Sequence, residues 1–541
     1  MSATEMTSRV GHATLGSASE PAPPPATPGT EVPATAPRDV ILDVRGLRTY
    51  FFTYDGVVKA LDGVTFNIHK GETVGLVGET GCGKSVTAFS ITKLIADPPG
   101  RIMDGTILFK GSNLLWGIEK EASFKPVKKT NRIKVRRRYR QIKHGLDRMS
   151  AIRGGGISMI FQEPTSALNP IFSIADQISE ALLIHRGRSI IDQVLHATPD
   201  APGVRPAIDN LLKVARTGDS EALRAAATAF GEAAHLPSLG TQAYYLLRGG
   251  RADPDQKRPE LEKALRRLRL TGLQRSFLRR ELRSLESVRR LKEVYLTEMR
   301  YGRPESAKRR MLRSAQFGRR LSTFYFGLWG VRGYVRRPLK GETFWETVHL
   351  LEGVTIANPV QVARGYPHEL SGGMLQRVMI AMALSSEPEL LIADEPTTAL
   401  DVTIQAQILE LMRDLKTRIG ASILLITHDL GVIAEVADRV CVMYAGNIVE
   451  VAPVRELYKR QLHPYSQGLL SSIPRMDEPD KKLESIPGSV PNLIYPPSGC
   501  RFHPRCPHAM PICKEARPPM TVEGEGHTVA CYLYNGPVAK G

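Results

Sequence analysis

The sequence lacks the features of a membrane-spanning or secreted protein. It contains no apolar run of about 18 residues, the length that a helix needs to cross a bilayer, and it begins without a basic-then-apolar signal segment. Only 6 of its 541 residues are cysteine, and in a reducing compartment these should form no disulfides. We therefore expect a protein of the cytoplasm or of the cytoplasmic face of a membrane.

The composition is otherwise that of a soluble protein with surplus positive charge. Hydrophobic residues make up 42% and charged residues 24%, with a net charge of +18. The length allows two to four domains. Residues 1–38 are rich in Pro, Ala, Thr and Ser and almost free of large apolar residues, so we expect a disordered lead.

A glycine-rich segment follows the phosphate-binding pattern G-x-x-x-x-G-K-[ST]. Its residues are Gly78, Glu79, Thr80, Gly81, Cys82, Gly83, Lys84 and Ser85. The apolar run before it predicts a buried parallel strand, and the residues after it predict a helix. The glycines allow successive N–H groups to point at one anion, and the helix N-terminus adds its positive end. Lys84 can reach the β- and γ-phosphates of a nucleotide, and the Ser85 hydroxyl can hold Mg²⁺.

Polar side chains end three other apolar segments that predict buried strands. These side chains are Gln162, the pair Asp394 and Glu395, and His428. An aspartate at the carboxyl end of a buried strand suits a Mg²⁺ partner, and the glutamate after it could orient a water. Taken alone, Gln162 is as well explained as a solvated loop residue and His428 as a hydrogen bonder at a strand end.

Two further segments carry weaker signals. Ser371-Gly372-Gly373 opens an apolar helix and so offers a second anion site at a helix N-terminus. Tyr54 lies thirty positions before Lys84, where an aromatic ring could stack on an adenine or could simply be a half-buried strand residue.

The order of these motifs resembles that of an ABC transporter ATPase over residues 40–115, 150–187 and 346–460. Phe161–Pro170, Leu370–Met374, His463-Pro464-Tyr465 and the tail from Ile486 resemble the dipeptide and oligopeptide importer ATPases, to which nickel importer ATPases are similar. The resemblance implies an α/β P-loop core with a small antiparallel β subdomain and a helical subdomain. It places this ATPase domain at 39–460 and a C-terminal extension at 461–541.

The resemblance also implies roles for the residues of one nucleotide site. Tyr54 would stack on the adenine, and Gln162 would sense Mg²⁺ and face the membrane subunits. Asp394 would support Mg²⁺ through water, Glu395 would be the general base, and His428 would contact the γ-phosphate.

Other residues would act across a dimer. The signature residues Ser371, Gly372, Gly373 and Gln376 would cap ATP bound to the opposite subunit, and Asp401 would link the two sites. One set of motifs requires a second, related ATPase chain. Two membrane permease subunits and an external solute-binding protein would complete an importer that couples Mg²⁺-dependent ATP hydrolysis to peptide uptake.

Alternatives to a peptide importer are a nickel or other small-solute importer ATPase, and a soluble ABC ATPase acting on ribosomes or nucleic acid. Proteins of the latter kind usually carry two ATPase units or a long coiled coil, and neither is evident here. A regulatory nucleotide-binding module without turnover is disfavoured because Glu395 and His428 fill both catalytic positions.

Two segments depart from the family pattern and resemble insertions, residues 116–149 and 188–345. The second is Leu- and Arg-rich at helical spacing over Glu260–Met299, which predicts helices. Their surplus positive charge is explained by solvated helix faces, by an anionic lipid surface or by nucleic acid. We favour lipid, with no nucleic acid expected, because residues 324–329 are an aromatic run beside arginines.

Four cysteines cluster in the Pro-rich tail: Cys500, Cys506, Cys513 and Cys531. Four thiolates suit zinc or a [4Fe–4S] cluster. The gaps between them are longer than in most structural zinc sites, and some of the peptide importer ATPases that the tail resembles carry an iron–sulfur cluster there. We expect the cluster, with zinc and free thiols as alternatives, and we expect His503, His508 and His527 to be solvated rather than ligating.

Overall fold

The computed structural model describes residues 40–126, 133–150, 152–248, 253–301, 329–398, 402–472 and 486–534. The predicted disordered lead, Asp401 and the aromatic residues 324–328 lie outside these residues. Within the described residues, no helix combines the length and the apolar character that crossing a bilayer requires.

Fourteen strands lie in the described residues and form three sheets. They are β1 (Val40–Phe52), β2 (Val57–His69), β3 (Thr73–Val77), β4 (Gly100–Phe109), β5 (Ser112–Asn113), β6 (Ala122–Pro126), β7 (Ile133–Arg137), β8 (Ile157–Ile160), β9 (Leu390–Asp394), β10 (Ser422–Ile426), β11 (Arg439–Tyr444), β12 (Asn447–Pro453), β13 (Thr521–Gly524) and β14 (His527–Val529). The large sheet has the order β13-β14-β12-β11-β3-β10-β9-β8, the small antiparallel sheet β2-β1-β4-β5, and β6 pairs with β7.

The described helices begin with α1, which starts at Lys84 within the glycine-rich segment. They are α1 (Lys84–Ile91), α2 (Tyr139–Met149), α3 (Pro164–Ala167), α4 (Ile174–His185), α5 (Gly187–His196), α6 (Val204–Ala215), α7 (Ser220–Ala233), α8 (Pro237–Leu247), α9 (Arg258–Leu268), α10 (Gly272–Tyr301), α11 (Trp329–Gly353), α12 (Pro359–Arg364), α13 (Gly372–Leu384), α14 (Val402–Ile419), α15 (Leu430–Val436), α16 (Val454–Lys459), α17 (Pro464–Ser471) and α18 (Ile512–Glu515). Helices α9 and α10 cover the predicted helical stretch.

The centre of the large sheet is parallel and covered on both faces. Strands β11, β3, β10, β9 and β8 pair in parallel, and β3, β9 and β10 are buried at every residue. Side chains alternate along a strand, so Leu390 and Ile392 pack into a core with the small antiparallel sheet. Leu391 and Ala393 pack into a second core against the helices on the other face. The apolar runs that form β3, β9 and β10 are therefore buried strands, as predicted.

Helices α6 to α9 have a hydrophobic core of their own. Its buried residues run from Val204 to Leu265 and include Phe230 and Tyr244. By contrast, residues 116–149 hold the β6–β7 hairpin as well as helix α2. An ion pair of 2.6 Å joins Glu121, directly before β6, to Lys93, which follows α1.

The C-terminal segment adds strands to the large sheet. Strand β14 pairs antiparallel with β12, and β13 pairs with β14. The buried Glu450 carboxylate of β12 accepts hydrogen bonds from the backbone N–H groups of Leu462 and His463, each at 2.9 Å. Its Oε1 also lies 2.8 Å from Nε2 of His527. The expectation that His527 is solvated was therefore wrong, because this side chain is buried and holds the tail to the sheet.

The parallel strands fix where polar side chains meet. Val77, Ile160, Asp394 and Ile426 are the last residues of β3, β8, β9 and β10, and parallel neighbours end at the same edge of a sheet. In open α/β sheets, ligands bind in the crevice outside the carboxyl ends of the strands. The glycine-rich segment and the other three polar segments all follow this edge.

Candidate functional site

The glycine-rich loop between β3 and α1 has a backbone that side chains would not permit. Gly78 and Gly83 have φ values of 153° and 107°. A Cβ atom on Gly78 would lie 2.2 Å from the carbonyl oxygen of Met443, and one on Gly83 would lie 2.8 Å from that of Ala60. Glycine is therefore needed at both positions for the loop to curl in front of the helix N-terminus.

Lys84 and Ser85 lie where the phosphate-binding pattern requires them. The buried Lys84 ammonium donates to the carbonyl oxygens of Gly78 at 2.7 Å and Glu79 at 3.2 Å. The Ser85 hydroxyl donates to Oδ1 of Asp394 at 3.1 Å. Burial raises the pKa of Asp394 to about 6, while the Ser85 hydrogen bond lowers it; a bound cation would favour the ionised form.

The Glu395 carboxylate is held by three side chains. Its Oε2 accepts hydrogen bonds from Nε2 of Gln162 at 2.8 Å and from the Thr398 hydroxyl at 3.0 Å. Its Oε1 lies 3.3 Å from Nδ1 of His428. These side chains follow the ends of β8, β9 and β10, and the parallel strands bring Gln162, Glu395 and His428 together at one edge of the sheet. The sequence analysis missed Thr398, whose only local signal is its place three residues after Glu395.

Groups that can bind phosphate, groups that can bind a cation and a carboxylate that can act as a base thus lie at one edge of the large sheet. The loop offers backbone N–H groups, a lysine and a serine hydroxyl to a phosphate chain, and Asp394 adds a carboxylate next to the serine. Glu395 is the adjacent carboxylate, largely buried, and its partners can hold it in position against an attacking water. The arrangement can bind a nucleoside triphosphate with Mg²⁺ and support its hydrolysis.

The residues predicted to contact adenine or a partner chain differ in exposure. Tyr54, in the connection between β1 and β2, is 93% exposed. Ser371 and Gly372 are exposed at the start of α13, and Gly373 is half-buried. Gln376 is buried, and its Nε2 donates to the carbonyl oxygen of Pro396 at 2.7 Å. Gln376 therefore links α13 to the segment that follows Glu395.

The C-terminal extension, called the tail from here on and comprising residues 461–541, contacts the phosphate-binding loop directly. Both guanidinium Nη atoms of Arg505 donate to the Glu79 carboxylate, at 2.7 and 3.0 Å. The backbone N–H of Glu79 donates to the Tyr465 hydroxyl at 2.8 Å. The sequence analysis missed Arg505, which lies 426 positions from its partner, and nothing local in the sequence signals such a pair.

The four tail cysteines line one small cavity, which is also lined by His463, Met510 and Leu533. Burial, together with the neighbouring thiols of Cys513, Cys531 and Cys506, raises the pKa of Cys500 to about 11. Even so, the described residues include no group of three or more His, Cys, Asp or Glu side chains arranged to hold a metal ion.

Two protein-family models match the chain. The model "ABC transporter" matches residues 61–288 and 335–398, more than half of the chain. The model "Oligopeptide/dipeptide transporter, C-terminal region" matches residues 449–513.

Curated relatives match almost the whole chain. "Oligopeptide transport ATP-binding protein AppD" of Bacillus subtilis is 34% identical over 494 residues, covering 91% of this chain and 97% of the relative. "Dipeptide transport ATP-binding protein DppD" of the same species is 32% identical, covering 91% and 94%. "Oligopeptide transport ATP-binding protein OppD" of Salmonella typhimurium is 31% identical, covering 93% and 96%.

Proposed function

Because the chain belongs to the family of ABC transporter ATP-binding proteins, we propose that it is the ATP-hydrolysing subunit of an importer for di- and oligopeptides. The observation that carries this proposal is the match to peptide transport ATP-binding proteins over nine tenths of the chain. The C-terminal match to the oligopeptide and dipeptide transporter region supports the same solute class. The comparisons lend no support to a nickel importer or to a ribosome- or nucleic-acid-directed ATPase.

The site suits hydrolysis that proceeds by positioning and electrostatics. The loop N–H groups and Lys84 hold the phosphates, and the oxygens of Ser85 and Asp394 are hard ligands that fit Mg²⁺. Held there, Mg²⁺ would neutralise negative charge on the phosphates during the reaction. Glu395 accepts a proton from the attacking water while Gln162 and Thr398 hold its carboxylate. His428 lies beside the same carboxylate.

A second ATPase chain completes the site in this proposal. Ser371 and Gly372 are exposed at the N-terminus of α13, where they can meet the γ-phosphate of ATP on a partner. Tyr54 is exposed for stacking on adenine. Asp401 is proposed to link the two sites across the dimer, and this role rests on the sequence alone.

The segment after Gln162 is the proposed contact with the two permease subunits. Ile171 and Phe172 are adjacent in this segment and are 78% and 52% exposed. Two adjacent exposed apolar side chains suit docking of a permease helix. A solute-binding protein outside the membrane would deliver the peptide, and the ATPase would lie on the cytoplasmic face.

Transport by the assembled complex tests the proposal. A complex purified through a tag on this chain is expected to contain two permease chains and a related ATPase. In proteoliposomes supplied with its solute-binding protein, it should accumulate a radiolabelled peptide only when ATP is present on the side of the ATPase subunits. The Glu395→Gln complex is the matched control, because it should assemble without transporting. ATP-driven uptake of nickel without uptake of any peptide would contradict the assignment.

The proposed lipid contact was predicted from the aromatic run at residues 324–329, of which 324–328 lie outside the described residues. Within the described residues, residues 136–143 of the first insertion-like segment support it. Arg136, Arg138, Arg140 and Lys143 are exposed there, and Tyr139 between them is 71% exposed. Cations around an interfacial aromatic side chain suit an anionic membrane surface. The helical segment 188–345 is proposed as the second insertion.

Vesicle binding tests the lipid contact. The full chain should co-sediment with phosphatidylserine vesicles and release as salt rises through physiological strength. A variant with Arg136, Arg138, Arg140 and Lys143 changed to Gln should bind at least about a hundredfold more weakly, because the four cations together contribute roughly 4 kcal/mol near such a surface. Undiminished binding by this variant, or binding to RNA instead of vesicles, would refute the contact.

The four tail cysteines are proposed to hold a [4Fe–4S] cluster. They fit in donor type and in sharing one cavity, and in such a cluster the four thiolates together bind four irons. A single zinc ion would need four ligands converging on one point. Because the described residues include no ready-made metal group, the thiols would turn toward the cavity centre on assembly. The cluster's role would be structural, since ATP-driven import needs no redox step.

A further inference from the structure

We propose that Arg505 is a positioning residue of the phosphate-binding loop, which acts by neutralising Glu79 and holding it away from the bound triphosphate. The inference rests on the proposed ATP site but not on the solute or on what the cysteines bind. It makes the C-terminal tail a working part of the nucleotide site.

The Arg505 guanidinium is fixed by four neighbours. Besides its two bonds to Glu79, it donates from Nε to the carbonyl oxygen of Pro487 at 2.8 Å and from Nη2 to that of Ile486 at 3.2 Å. It lies 5.7 Å from the ring centroid of Tyr444, and its side chain is only 7% exposed. A two-pronged bond between arginine and carboxylate fixes orientation as well as charge.

The tail holds the main chain of Glu79 as well as its side chain. The Tyr465 hydroxyl accepts the Glu79 N–H, and Tyr465 is fully buried against Tyr444, with ring centroids 4.6 Å apart. Glu79 occupies the second position of the loop, and its carbonyl oxygen accepts from Lys84. The tail therefore fixes a loop residue that touches the phosphate-binding lysine.

Charge explains why this pair matters. The loop wraps a polyanion, so a carboxylate in it would repel the ligand if it were unpaired. The pair lies partly buried, where solvent screens charges less than at an open surface. Removal of Arg505 should therefore weaken nucleotide binding, and subsequent removal of the Glu79 charge should restore it. A purely structural contact would show no such rescue.

The test is a double-mutant cycle on the full chain. The readouts are the Kd for a fluorescent methylanthraniloyl ATP with Mg²⁺, and kcat and KM measured with the partner ATPase. Arg505→Gln is expected to raise Kd and KM about tenfold with kcat changed less than about threefold. Adding Glu79→Gln should bring Kd back to within about threefold of the wild-type value. The loss in Arg505→Gln should shrink as salt rises.

Arg517→Gln is the matched control. Arg517 lies in the same tail but pairs with Asp62 of β2 rather than with the loop, so its loss should leave Kd unchanged. Unchanged affinity in Arg505→Gln, absence of rescue by Glu79→Gln, or an equal loss in Arg517→Gln would each overturn the proposal. If Arg505→Gln does not fold, Arg505→Lys takes its place. Its ammonium lacks the two-pronged fork, and it should weaken binding about threefold with the same rescue.

Discussion

Glu395→Gln is expected to bind MgATP normally but to hydrolyse it at least about a hundredfold more slowly, which is the scale of general-base catalysis. The glutamine keeps the shape of the side chain and can still accept the bond from Thr398. It cannot accept a proton from water. Steady-state kcat, measured with the partner ATPase present, and nucleotide Kd together check this result. Near-normal turnover would remove Glu395 from its role as the base.

Lys84→Ala provides the contrast that separates chemistry from binding. The ammonium is the loop's only side-chain cation and is buried among loop carbonyl groups, so its loss should raise the nucleotide Kd itself. If Lys84→Ala bound nucleotide as tightly as the wild type, the loop would not be the phosphate site. Glu395→Gln should therefore lower kcat without changing Kd, whereas Lys84→Ala should raise Kd.

Anaerobically purified protein is expected to be brown and to hold about four iron atoms per chain. Its absorbance at about 400 nm should be bleached by dithionite. Cys506→Ser should abolish most of the iron and the colour, because it removes one of the four thiolates that share the cavity. Cys441→Ala is the matched control. This cysteine is buried in strand β11, and its loss should leave the iron content unchanged.

Two other results would decide between the alternatives for the cysteines. Colourless anaerobic protein with one zinc ion per chain would replace the cluster by a zinc site. Metal-free protein with four reactive tail thiols would rule out both metal sites. Iron content by inductively coupled plasma mass spectrometry and thiol titration separate the three outcomes.

The sequence by itself determined the elements whose signals are local. Short, mostly apolar runs are typical of strands that are buried on both faces, so β3, β9 and β10 were predicted as buried strands before any pairing was known. The glycine-rich pattern fixed the loop, because its backbone conformation is one that side chains exclude. Gln162, Glu395 and His428 were placed at one nucleotide site only by the resemblance to ABC transporter ATPases, because taken alone each had an ordinary structural explanation.

Only the tertiary structure decided which distant groups pair. The contact between Arg505 and Glu79 and the one between His527 and Glu450 join positions far apart in the chain, and single-residue patterns carry no information about such partners. The prediction that His527 is solvated failed for the same reason. The surroundings of His527 are set by strand β12, with which the strand of His527 pairs. The sequence of the basic segment 116–149 likewise did not predict its strands. The antiparallel pairing of β6 with β7 is seen only in the structure. Periodicity and backbone strain are properties of a short stretch of chain, whereas burial and ion pairing depend on what folds against it.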